Sequence, residues 1–117
     1  MITAERYHDI SCGHRVVGHE GKCRFLHGHN YRIHFIITSE YLDAVGRVLD
    51  FSVIKTLLCE WLEDNFDHKF LIWENDEMLP QLQAITAESL VVVPFNPTAE
   101  NIAKYMVEVI APQQLKN

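Results

Sequence analysis

A chain of 117 residues, 48% apolar and 22% charged, has the length and make-up of one globular domain, 1–117, able to bury a core without disulfides. Its net charge of −6 disfavours a nucleic-acid partner, which selects a basic face, and no apolar run approaches the ~18 residues of a membrane span. The opening MITAERYHDI lacks the layout of a secretory leader, and the cysteines (Cys12, Cys23 and Cys59) have no framework spacing, so reduced thiols and a cytoplasmic setting are expected.

Residues 2–16 read as a strand, with Ile2, Ala4, Ile10, Cys12 and His14 on one parity and Arg6 and His8 interrupting that face. The stretch VVGHEGKCRFL, with Gly18 and Gly21, reads as a loop. Residues 29–39 alternate more cleanly: Tyr31, Ile33, Phe35 and Ile37 face one way, while Asn30, Arg32, His34 and Thr38 face the other. The period then changes. Phe51, Ile54, Leu58, Trp61, Leu62 and Phe66 recur at helical spacing behind a candidate N-cap, Asp50. The segment 79–90 is ambiguous, LVVVPF at 90–95 reads as a short buried strand, and a second helix follows FNPT. Thr98 caps that helix, and Ile102, Tyr105, Met106, Val109 and Ile110 form its stripe. The order β-β-α-(β)-α predicts an α+β domain with helices on one face of an antiparallel sheet.

The densest chemistry is in GKCRFLHGHNY, residues 21–31. A strand that starts early enough puts His27 and His29 on one face, the parity of Tyr31 and Ile33. Two imidazoles turned into an apolar layer need partners, and a divalent cation satisfies both. His14, near the end of the first strand, is the best third ligand, and three histidines leave a fourth position open, as in catalytic zinc sites. An isolated H-x-H also occurs without metal. His8, His19 and His34 read as surface or hydrogen-bonded residues. Cys23 lies between Lys22 and Arg24, where positive charge favours a thiolate that can act as base or nucleophile; Cys12 and Cys59 read as buried small hydrophobes. Asp67-His68 pairs a carboxylate with an imidazole, but adjacent residues in an extended chain are not expected to bond to each other.

Five blocks, HR at 14–15, GKCRFLHGHNY at 21–31, VLDFSVIK at 48–55, FDHKFL at 66–71 and NPTAENIA at 96–103, occur in the order seen in 6-pyruvoyltetrahydropterin synthase-like proteins, and together the resemblance covers nearly the whole chain. The C-x3-H-x-H spacing is most similar to the bacterial 6-carboxy-5,6,7,8-tetrahydropterin synthases of that group. The resemblance implies a tunnelling fold (T-fold): a four-stranded antiparallel sheet with two helices on one side, assembled as a homohexamer of two stacked trimers with sites between subunits. It implies Zn2+ on His14, His27 and His29, and a Cys23 base assisted by Asp67 and His68. Thr98 would lie near the pterin, and Arg15, Lys22 and Arg24 would meet the triphosphate. The implied reaction turns 7,8-dihydroneopterin triphosphate into 6-carboxytetrahydropterin, acetaldehyde and triphosphate, on the route to 7-deazaguanine and queuosine. The pyruvoyl-forming synthase, which only eliminates triphosphate, and a zinc-containing pterin- or purine-binding module without turnover are the alternatives. Members of the group continue past the second helix with two more strands, the last carrying a glutamate that grips the pterin; this sequence ends at APQQLKN, without a counterpart.

Overall fold

The computed structural model describes residues 1–116. Two thirteen-residue strands, β1 (Ile2–His14) and β2 (His27–Ser39), form a long antiparallel hairpin in continuous register from Ile2 opposite Ser39 to His14 opposite His27. β2 thus begins two residues earlier than the alternation predicts, at the first histidine of the H-x-H pair. Two short strands extend the sheet in the order β2-β1-β3-β4: β3 (Phe70–Trp73) and β4 (Leu90–Val93). β3 runs parallel to the end of β1, and β4 parallel to β3, so the sheet is mixed rather than wholly antiparallel. The strand at 90–93 is the one expected. β3 is not, because FLIW is only four residues long and apolar throughout, with no alternation to reveal it.

Three helices accompany the sheet. α1, residues 51–65, runs through Phe51–Ile54, a wider π-type stretch at Lys55–Cys59, and Glu60–Asn65. Its N-cap is Asp50, whose carboxylate accepts from the Ser52 N–H. α2 (Leu79–Thr86) resolves the ambiguous segment as helix. α3, residues 99–114, has Thr98 as N-cap, its side chain accepting from the Asn101 N–H at 3.0 Å.

The core lies between one face of the hairpin and the two long helices. Ile10, Cys12 and Phe35 from the strands meet Ile54, Leu58, Cys59, Leu62 and Phe66 on one side and Ile102, Met106 and Ile110 on the other. Arg6 and His8 break the apolar parity without being turned outward: His8 Nε2 meets Glu63 Oε1 on α1 at 2.6 Å. The opposite face is a polar ladder. Ser11 donates to Asn30, Arg32 forks onto Asp9 and stacks over Tyr7, and His34 pairs with Glu5. No helix among the described residues is long and apolar enough to cross a membrane.

Candidate metal centre and active-site cavity

The hairpin register builds the metal centre. His14 stands opposite His27, and Cys12 opposite His29, so all three imidazoles leave the sheet on the same side. One ring nitrogen from each of His14, His27 and His29 lies within 4.8 Å of the other two. Two of the rings are oriented by backbone carbonyls: His14 Nδ1–H donates to Pro97 at 2.6 Å and His27 Nδ1–H to Phe25 at 2.8 Å. That choice of tautomer leaves each Nε2 with a lone pair. The Nε2 of His27 is buried and without a hydrogen-bond partner among the described residues. An unpaired buried nitrogen costs free energy, and a cation at the centre of the triangle would remove that cost. Burial holds the His14 pKa below the ordinary histidine value, the Pro97 carbonyl opposing the shift and the neighbouring His27 and His29 adding to it. The ring is therefore neutral at physiological pH, the form that ligates. Three converging imidazoles are a donor set that fits Zn2+.

Beside this triangle is a cleft of about 470 Å³ lined by His14, His19, Cys23, His29, Tyr31, Thr98 and Glu100, among others. Cys23 enters it from a single 3-10 turn, Lys22–Arg24. The turn is held to β1 by the Val16 N–H, which donates to the Cys23 carbonyl at 2.8 Å. Thr98 enters as the cap of α3, adjacent to the Pro97 carbonyl that orients His14. The structure thus brings together five of the residues singled out from the sequence, His14, His27, His29, Cys23 and Thr98, and adds His19, which was read as a surface or hydrogen-bonded residue. Tyr31, Asn30 and Glu100 complete the wall. Tyr31 was visible in principle, since it continues the parity of His27 and His29; its hydroxyl lies 3.1 Å from His14 Nε2, and burial raises its pKa.

Asp67 and His68 are elsewhere. They follow α1 beside β1, where the His68 N–H donates to the Ser11 carbonyl and Asp67 Oδ1 accepts from the Ser11 N–H at 2.8 Å. Ser11 belongs to the polar face of the hairpin, so the pair opens on the side away from the cleft, into a hollow shared with Ser11 and Asn30. Contrary to the expectation for neighbours, the two side chains do bond, His68 Nδ1 to Asp67 Oδ2 at 2.8 Å. The chain is not extended there: His68 has φ +59, in the left-handed region, which folds the ring back onto the preceding carboxylate. The Ser11 N–H, with His68 in support, holds the Asp67 pKa below the usual carboxylate value.

Arg15 is buried, and its guanidinium forks onto Asp76, Nε to Oδ2 at 2.6 Å and Nη2 to Oδ1 at 2.8 Å, while Nη1 donates to the Arg24 carbonyl at 3.2 Å. A guanidinium committed in this way holds the Cys23 loop to the turn after β3. The partner is 61 residues away, which no local pattern could show. Arg24 is also engaged, donating to the Gly21 carbonyl at 2.7 Å and stacked over Phe25. Lys22 is exposed. Cys12 and Cys59 are core residues, 6% and 2% exposed, and burial pushes the Cys12 thiol up to about 11.

The family described as 6-pyruvoyl tetrahydropterin synthase matches residues 3–117. The chain belongs to that family. Among its relatives is the 6-carboxy-5,6,7,8-tetrahydropterin synthase of Rickettsia felis, 39% identical over 114 residues, covering 97% of this chain and 83% of the relative. The protein of the same name from Haemophilus influenzae is 30% identical over 113 residues, covering 91% and 79%. Of solved structures, an uncharacterized protein from Wolinella succinogenes superposes with a TM-score of 0.84 at 25% identity, over 98% of this chain and 87% of that one. The 6-pyruvoyl tetrahydropterin synthase of Caenorhabditis elegans shares the fold at a TM-score of 0.65 and 24% identity, over 94% and 76%. As a 6-pyruvoyl tetrahydropterin synthase family member, the chain has the α+β fold expected from its sequence.

Proposed function

We propose that this chain is a zinc-dependent lyase of the 6-carboxy-5,6,7,8-tetrahydropterin synthase type. It would convert 7,8-dihydroneopterin triphosphate and water into 6-carboxytetrahydropterin, acetaldehyde and triphosphate, on the route to 7-deazaguanine and queuosine. The observation that carries the reading is the convergence of three imidazoles, one with an orphaned buried nitrogen, beside a cleft lined by two of them and by Cys23. The names of relatives at 39% identity support the choice of reaction.

His14, His27 and His29 would hold the zinc, which when bound supplies Lewis acidity toward the hydroxyls of the substrate side chain. The carbonyls of Pro97 and Phe25 keep the His14 and His27 rings in the ligating tautomer. Cys23 is the base that takes a proton from the side chain under attack. Thr98 presents its hydroxyl to the pterin while it caps α3. Asp67 orients His68 through the 2.8 Å bond and stabilises its protonated form, so that the pair can return a proton. Since that pair opens on the other face of the hairpin, the reading assigns it to a site completed by another copy, in keeping with a homohexamer. Three free cysteines support a reducing, cytoplasmic setting.

The test is product analysis. Incubation with 7,8-dihydroneopterin triphosphate should release acetaldehyde and a product of the mass of 6-carboxytetrahydropterin. Cys23→Ala should abolish turnover with zinc content unchanged. A product retaining the three-carbon side chain would move the assignment to the pyruvoyl-forming reaction, and ligand binding without turnover would make the chain a binding module.

A further inference from the structure

Arg15 is buried on Asp76, Arg24 donates through Nη1 to loop carbonyls and Lys22 is exposed, and none of the three is among the residues that line the cleft. His19, read from the sequence as a surface or hydrogen-bonded residue, does line it. Residues 16–19 form a turn closed by the His19 N–H on the Val16 carbonyl at 3.3 Å, with Gly18 at φ +82 in the position that favours glycine. The turn is anchored on both sides. The Val16 N–H donates to the Cys23 carbonyl, and the Asn96 side chain bonds both the N–H and the carbonyl of Val17, at 3.0 and 2.9 Å. His19 is carried by this anchored turn to the wall that it shares with His14, Cys23, His29 and Thr98.

Its ring has a defined orientation. Nδ1 accepts from the Gly21 N–H at 2.8 Å, and a Cβ at position 21 would come within 3.1 Å of His19 Cε1 and 3.3 Å of Nδ1. The Nδ1–Cε1 edge is therefore seated against Gly21. Nε2, the next ring atom beyond Cε1, has no hydrogen-bond partner among the described residues, and because Nδ1 is an acceptor, Nε2 bears the proton.

We infer that His19 is the phosphate contact of this cleft, its Nε2–H donating to an oxygen of the substrate triphosphate. The inference rests on the proposed function in that the substrate is a phosphate ester. A neutral N–H donor against a charged oxygen is a strong hydrogen bond, and its loss is expected to weaken binding about tenfold or more.

Two isosteres separate the atoms. In His19→Asn the amide oxygen can take the place of Nδ1 and keep the Gly21 bond, but nothing reaches the position of Nε2. In His19→Gln the amide nitrogen falls near Nε2. Inorganic triphosphate is titrated calorimetrically into the zinc-loaded wild type and both variants, with zinc content and circular dichroism as controls of folding. The expected result is binding weakened about tenfold or more in H19N and largely restored in H19Q. The KM for 7,8-dihydroneopterin triphosphate should rise to match in H19N, with kcat within about twofold and the affinity for phosphate-free 7,8-dihydroneopterin unchanged. Equal triphosphate affinity and equal KM in wild type and H19N would overturn the contact, as would an equal loss for the phosphate-free compound. A wild type that binds triphosphate through His19 but releases no acetaldehyde would sink the lyase reading and leave the contact standing.

Discussion

Replacing Asp76 with alanine isolates the energetic role of Arg15. The side chains of Arg15 and Asp76 are 10% and 1% exposed, and they are joined by two short hydrogen bonds. Removing the carboxylate leaves a guanidinium buried without its counter-charge, and it also takes an acceptor from the Met78 N–H. Breaking a buried pair in this way costs about 3–5 kcal/mol. A domain of this length has about 6–18 kcal/mol in total, so from about a sixth to about four fifths of the stability is at stake. With a urea dependence of about 1.5 kcal/mol per molar, the unfolding midpoint, followed by the fluorescence of Trp61 and Trp73, should fall by about 2–3 M. The paired change Arg15→Met with Asp76→Leu removes both charges and keeps the volume, and it should recover most of the loss. A midpoint for Asp76→Ala within about 0.5 M of wild type, or a double variant no better than the single one, would refute the reasoning. The same pair tests whether Arg15 meets the triphosphate: with the guanidinium committed to Asp76, the refolded double variant should bind triphosphate as the wild type does.

Other consequences are simpler to state. His27→Ala removes the orphaned nitrogen and one ligand; zinc measured by mass spectrometry should fall from about one per chain to a small fraction. Stabilisation of the wild type by zinc, about 2.7 kcal/mol at a hundredfold excess over Kd, should largely disappear from the melting curve of that variant. Asp67 is held below its unfolded pKa near 3.8, chiefly by the Ser11 N–H, so the stability it contributes is present above that value and is lost as pH falls through the lower folded value. Asp67→Asn should therefore show a shallower fall in melting temperature than wild type as pH drops below about 4. Thr98→Ala deprives the Asn101 N–H of its acceptor and should cost about 1 kcal/mol in urea unfolding, whatever its effect on pterin affinity.

What could be read from the sequence follows from the range over which the physics acts. The hairpin and the two long helices announce themselves by period, because each buries one face against the same core, and the caps Asp50 and Thr98 are single-residue signals that act within a turn. The candidate ligand pair His27 and His29 needed only the strand's period of two. His14 was placed beside them by its parity near the end of the first strand, and the register of β1 on β2 sets it opposite His27. By contrast, β3 is four apolar residues with no alternation, α2 carries no buried residue, and its moment is correspondingly weak as a signal. The contacts that orient the site are longer in range still: His14 to the Pro97 carbonyl spans 83 residues, and Arg15 to Asp76 spans 61. Neither leaves a mark on its own neighbourhood, and this is why the pairing of Arg15 with Asp76 could not be read from the residues around His14.

The candidate metal centre depends on the hairpin as a whole. A slip of one residue in the pairing of β1 and β2 would turn His27 and His29 to the polar side and leave His14 alone on the other. What opposes the slip is spread over both faces. On the buried side Ile10, Tyr31 and Phe35 must meet the helices, and on the exposed side Ser11–Asn30, Asp9–Arg32 and Glu5–His34 match donors to acceptors across the strands. Each cross-strand pair contributes only about 0.2–1 kcal/mol, but every one of them is lost together if the register moves. The polar ladder, which touches no ligand nitrogen, is thus part of what keeps three imidazoles within 4.8 Å of one another. The same ladder carries Ser11, the residue that holds Asp67, so one register sets the position of the metal ligands on one face and of the carboxylate–imidazole pair on the other.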